Sequence, residues 1–227
     1  MTDPFAREPG KLSIDVFSDV VCPYCYLGDT ILAAALSEFD HSDSVVIRYH
    51  SYQLMPELAA DRTVDLIELL STSKGVPPQQ IVAAQQQLVT RGAEFGIDYR
   101  FDQALTTNTR AAHRLTHFAK AHGKQREIVQ RLFVAYFTDG LNIGDVTTLA
   151  DLAAEVGLDR DAALVALTTD AYAQDVDHDI TLARQLGISG VPFFVFNGKY
   201  AVSGAQPVEA FTEVLAQAWN DADVTSS

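Results

Sequence analysis

Leu12, Ile14 and Val16 alternate with Ser13, Asp15 and Phe17, a period of two that predicts a short strand. From Pro23 the pattern changes to three- and four-residue spacings, with Leu27, Ile31, Leu32, Ala35 and Phe39 on one stripe, which predicts a helix. A second apolar run from Val45 to Leu54 predicts another strand and ends at Met55-Pro56. Strand, helix and strand at these lengths make a βαβ unit, with parallel pairing and a right-handed crossover.

From Glu57 to about Asp170 no strand pattern of any weight appears. Helices are predicted to start near Val64, Pro77, Thr107, Lys124, Val146 and Asp159. Glycines at 75, 96, 123, 140 and 157 stand near their ends, where a left-handed residue stops a helix. A further helix, from about Ala171 to Leu186, leads back to strand chemistry. Phe193 to Phe196 and Lys199 to Ser203 flank Asn197-Gly198, a strong hairpin signal because both turn positions require positive φ. An amphipathic helix from Pro207 to Trp219 follows, and the chain is expected to fray beyond it. The most economical architecture is one α/β domain built from both ends of the chain, with an all-helical domain inserted in its middle. Its parts are residues 11–56, the inserted block 57–170, and residues 171–220.

Composition narrows the function classes. The chain has 227 residues, 48% of them hydrophobic and 20% charged, enough apolar material for a substantial core. Its net charge of −14 argues against nucleic acid or an anionic membrane as partner, since both need clustered Lys and Arg. No apolar run approaches the length of a membrane span, and the first fifteen residues lack the pattern of a secretory signal. The expected location is therefore cytoplasmic, where a purely structural disulfide would be kept reduced.

The only two cysteines, Cys22 and Cys25, lie in "SDVVCPYCYLG" between the first strand and helix. A zinc site would need further ligands. His113 and His117 have i,i+4 spacing, but nothing ties them to the cysteines, so no metal is expected. "DVDHD" at 175–179 reads as a solvated helix face. Two inert buried thiols remain a plain alternative, but CxxC beside βαβ is the pattern of a redox-active dithiol. Pro23 suits the first helical turn and puts Cys22 at the helix mouth, where unpaired N–H groups favour a thiolate. Cys22 is the expected nucleophile. Cys25, one turn in, should be more buried and act as resolver.

"FSDVVCPYCYLG", "NTRAAHRL", "LFVAYF" and "GISGVPFFVFNGKYAVSGAQ" resemble the DsbA-like thioredoxin family, in particular its FrnE-like branch. The resemblance implies a thioredoxin fold with inserted helices and a cis Val191-Pro192 bond facing the dithiol. It implies a thiol–disulfide oxidoreductase with Cys22, Cys25 and Pro192 at the reacting centre. Val191, Pro23, Tyr24, Tyr26, Phe193 and His113 are the candidate substrate contacts. The Pro-Tyr dipeptide differs from the Pro-His of strongly oxidising DsbA proteins, which points to a reductase or disulfide isomerase. The expected partners are protein thiols and disulfides, with glutathione a candidate co-substrate and no cofactor beyond the Cys22–Cys25 disulfide. No interface is legible, and a dimer is compatible. The alternative is a glutathione-dependent transferase or isomerase of the kappa-class or hydroxychromene-carboxylate type, whose members generally carry a lone serine where Cys22 stands.

Overall fold

The computed structural model describes Phe5, residues 8–59 and residues 63–224. The remaining N-terminal residues, part of the stretch read for a secretory signal, lie outside the described residues, as do 225–227. β1 (Leu12–Ser18) is followed by α1 (Pro23–Ser37) and β2 (Val45–Ser51). Six helices come next: α2 (Leu66–Lys74), α3 (Pro78–Ala93), α4 (Arg110–Ala121), α5 (Gln125–Phe137), α6 (Val146–Glu155) and α7 (Arg160–Thr168). α8 (Ala173–Gln185), β3 (Phe193–Phe196), β4 (Tyr200–Ser203) and α9 (Val208–Val224) complete the chain. The fraying expected after Trp219 is corrected, since α9 continues to Val224.

The sheet order is β2-β1-β3-β4. β1 and β2 are parallel, with Ile14 opposite Ile47 and Phe17 opposite His50. β3 runs antiparallel to both β1 and β4. All seven residues of the central strand β1 are buried, so both its faces must be covered. Leu12, Ile14 and Val16 join Phe194, Phe196 and the buried faces of α1 and α9 in the main core. Phe17 and Val195 face the other way and pack with Leu182 and Ala183 of α8. The period of two thus feeds two layers from one strand.

β2 stops at Ser51, three residues short of the predicted end. The Tyr52 N–H still bonds to the Ser18 carbonyl at 3.0 Å, but the Leu54 N–H turns inward to the Asp19 carboxylate at 2.8 Å. A side chain satisfies that donor in place of a ladder partner. The hairpin turn holds Asn197 at φ 52° and Gly198 at φ 67°, as its sequence requires. The helical block shares one continuous core with the sheet: Ile128, Leu132, Phe133, Leu149 and Leu167 belong to the cluster that contains Leu12 and Ile14. Tyr26 of α1 joins the two parts, stacking on Phe133 with ring centroids 5.1 Å apart.

Candidate functional site

Cys22 is the N-cap of α1, with φ −87° and ψ 113°, and Pro23 opens the helix. Its side chain makes no capping bond and leaves the sulfur for other partners. The Cys22 N–H donates to the Asp19 carbonyl at 3.0 Å, and the Cys22 carbonyl accepts from the N–H groups of Cys25 and Tyr26 at 3.0 and 3.3 Å. These bonds place Cys25 one turn beyond Cys22 with both thiols free. Across the site the Val191-Pro192 peptide bond is cis, and the Cys22 thiol points at the Val191 carbonyl, 3.6 Å away. Gly28, the next turn of α1, makes room for this approach. A Cβ there would lie 3.1 Å from both Pro192 Cγ and Phe194 Cζ.

The expected contrast in burial between the cysteines is small: Cys22 is 4% exposed and Cys25 2%. Burial pushes the Cys25 thiol well above its ordinary value, and the neighbouring Cys22 adds to the shift through a hydrogen bond and its charge. Cys25 is thereby kept as a thiol.

A groove of about 450 Å³ opens beside the dithiol. It is lined by Val21, Pro23 and Tyr24 around the start of α1, by Leu54 and Met55 after β2, and by Leu66, Leu70, Val76, Ile81, Leu88 and Phe101 from α2, α3 and the segments beside them. Among the described lining residues none is charged, and Gln80 and Gln85 are the polar ones besides Tyr24. A helix was expected to start near Val64, and α2 begins at Leu66, but nothing in the spacing said which cavity it would face. Tyr99 also went unread. Its hydroxyl donates to the Pro23 carbonyl at 2.6 Å and ties the loop after α3 to the first turn of α1.

The expected contacts divide between the site and the packed parts of the fold. Tyr24 is 45% exposed at the groove mouth, and Val191 is half-buried with its carbonyl at Cys22. Tyr26, expected as a substrate contact, is half-buried and absent from the groove lining: it belongs to an aromatic cluster with Tyr99, Phe133 and Phe137. Phe193 packs on the α8 side of the sheet, and Phe194 is fully buried against Phe211, because neighbouring strand residues face opposite ways. His113 is corrected from substrate contact to buried residue, with Nε2 held 3.2 Å from Asp19 Oδ1.

The "DVDHD" stretch is only partly a solvated face. Asp175, Asp177 and His178 are exposed, but Asp179 is buried. Together with Asp15 and His50 it forms a polar layer between the sheet and α8, which the sequence reading missed. Asp15 takes a two-pronged bond from Arg48 and another from His50. Among the described residues no group of three or more His, Cys, Asp or Glu side chains could hold a metal ion, and no helix is long and apolar enough to cross a membrane.

Comparison with known proteins adds independent observations. The family model for the DSBA-like thioredoxin domain matches residues 13–216. The crystal structure of a probable DsbA oxidoreductase from Streptomyces coelicolor is similar at a TM-score of 0.87 and 35% identity, covering 92% of this chain and 90% of that one. The cytosolic disulfide reductase DsbM from Pseudomonas aeruginosa, solved with GSH, is similar in fold at a TM-score of 0.65 and 18% identity, over 90% of this chain and 98% of that one. The uncharacterized protein YwbO of Bacillus subtilis is 29% identical over 206 residues, 89% of this chain and 95% of YwbO.

Proposed function

The chain belongs to the DSBA-like thioredoxin family of thiol–disulfide oxidoreductases, and from that premise we propose that it reduces or isomerises disulfides in protein substrates, with Cys22 as nucleophile and Cys25 as resolver. The Cys22 thiolate attacks one sulfur of the substrate disulfide. The other sulfur leaves as a thiolate, and a Cys22–substrate mixed disulfide forms. In reduction, Cys25 then attacks Cys22 Sγ, releases the second substrate thiolate and leaves the Cys22–Cys25 disulfide. The substrate gains two electrons and the enzyme loses two. In isomerisation, a second substrate thiol attacks the mixed disulfide instead, and both cysteines return to the reduced state.

The observation that carries this reading is an uncharged apolar groove continuous with the dithiol through Pro23 and Tyr24. Apolar side chains flanking a cysteine in a partly unfolded protein fit such a surface, whereas glutathione brings two carboxylates that meet no cation there. Glutathione enters the proposal as the thiol that re-reduces the enzyme disulfide, which needs no place in the groove. The paired cysteines support dithiol chemistry over the lone-serine, small-molecule alternative.

Equilibrating the protein in glutathione buffers, with thiol alkylation as readout, tests the reading. The expected result is a reversible two-electron transition between about −270 and −180 mV, in the range of thioredoxin, glutaredoxins and protein disulfide isomerase. A dithiol that never forms a reversible disulfide overturns the function. A potential near about −120 mV overturns its direction, since that is the value of a strong oxidant.

A further inference from the structure

The resolving step requires Cys25 to lose a proton in a buried site, and the exchange scheme above names no acceptor. The structure holds one close by. Asp19 is fully buried and His113 is 3% exposed, with Nε2 of the ring 3.2 Å from Asp19 Oδ1. Asp19 is fixed in the dithiol loop from both ends: its carbonyl accepts the Cys22 N–H, and its second carboxylate oxygen accepts the Leu54 N–H. Ser18, which precedes it, has its side chain within hydrogen-bond reach of the Cys25 thiol. Ser18 and His113 also line the same small cavity of about 10 Å³, about the space one water needs.

We propose, on the dithiol reading above, that His113 accepts the Cys25 proton during resolution, through the Ser18 hydroxyl and a water in this cavity, with Asp19 orienting the ring. When Nε2–H is donated to Asp19, Nδ1 is left as the acceptor nitrogen. The proton leaves Cys25 as its sulfur bonds to Cys22 Sγ and the substrate thiolate departs. The Asp19 carboxylate then balances the imidazolium. His113 touches no reacting atom and is a positioning residue for the proton.

The other ionisable groups around the ring are already committed. Across the cavity, His50 lies between Asp15 and Asp179, and the Tyr49 hydroxyl is bonded to Asp29. Tyr136 of α5 pairs with Thr106. On α4 itself, His117 bonds Asp179 of α8, Arg110 bonds Asp177, and Arg114 is spent on carbonyls at the end of α7 and beyond. Asp19 is the carboxylate paired with His113. Because burial holds the Cys25 thiol well above its ordinary value, ionisation by hydroxide alone would rise with unit slope through pH 9.

The test is stopped-flow reaction of the reduced protein with 5,5′-dithiobis(2-nitrobenzoate). Attack by Cys22 releases the first equivalent of thionitrobenzoate, and attack by Cys25 on the resulting mixed disulfide releases the second. In the wild type the second phase should level off through one inflection below pH 9. His113→Gln keeps an N–H for Asp19 but accepts no proton. It should slow the second phase at pH 7 by about tenfold or more, within the usual range for general base catalysis, and restore unit slope, with the first phase changed less than about threefold. A folded variant with an unchanged second phase overturns the relay alone. A wild type that releases only one equivalent overturns the dithiol reading and the relay with it. If the variant does not fold, the wild-type profile decides: a plateau supports the relay, and unit slope through pH 9 overturns it.

Discussion

Replacing Asp179 by alanine removes a carboxylate that accepts three hydrogen bonds in the buried layer between the sheet and α8. His50 Nδ1 and His117 Nε2 each lie 3.0 Å from it, and the Ser51 N–H lies 2.8 Å away. Burial pushes the Asp179 carboxyl up, but the bonds from His117, His50 and the Ser51 N–H outweigh it and hold the group well below the usual carboxylate range. His50 shows the converse balance. Burial pushes it down, the bonds to Asp15 and Asp179 outweigh that, and it is raised. Alanine leaves a buried N–H without an acceptor, at about 1–3 kcal/mol, and removes one partner of a buried ion pair, at about 3–5 kcal/mol. The two figures overlap, and His50 can relax to the neutral form, so the expected loss is about 3 kcal/mol. At about 1.4 kcal/mol per factor of ten, that is roughly two decades in the folding constant. The depressed Asp179 contributes stability that is complete above its unfolded value of about 4 and lost as pH falls through its folded value. The raised His50 contributes stability that is complete below about 6.5 and lost as pH rises through its folded value. The penalty of Asp179→Ala should therefore be largest between about pH 4 and 6.5 and smaller at pH 8.5. Guanidinium unfolding of both proteins at pH 5.5 and 8.5 measures it. A loss under about 1 kcal/mol at pH 5.5, or one that grows toward pH 8.5, refutes the reasoning.

Tyr24→His places a titratable ring between the cysteines at an exposed position. It should make the dithiol more oxidising by about 30 mV or more, the equivalent of about 1.4 kcal/mol for a two-electron couple; an unchanged or more reducing potential in glutathione buffers would count against a role for that residue. Gly28→Ala gains about 1 kcal/mol of helix propensity, but its Cβ meets Pro192 and the fully buried Phe194 at 3.1 Å. Overpacking of this kind costs about 1–3 kcal/mol. The net expectation is a destabilised protein with slower thiol exchange at Cys22, and a variant as stable and as fast as the wild type would show that the cis-proline loop yields freely.

Much of the architecture was legible because each element carries its own period. β1 and the Asn-Gly hairpin announced themselves by alternation and turn chemistry, and α1 by its stripe and Pro23 at the first turn. The dithiol needed only the spacing of Cys22 and Cys25 against that helix start. The end of β2 was not legible, because it depends on where a distant Asp19 carboxylate meets the Leu54 N–H.

What the amino-acid sequence determined by itself is therefore local: the order of strands and helices, the two cysteines on one helical turn, and the Asn197-Gly198 turn between β3 and β4. What only the tertiary structure decided is which side chains share a space. Asp19 with His113, Asp179 with His50 and His117, and Tyr99 with the Pro23 carbonyl are separated by 62 to 129 positions, and no local pattern marks them. The physical reason is that a buried polar group is satisfied by whatever the fold brings within about 3 Å. Helical and strand periodicity reports which face is apolar, and it is silent on the partner a buried carboxylate, ring nitrogen or hydroxyl will find.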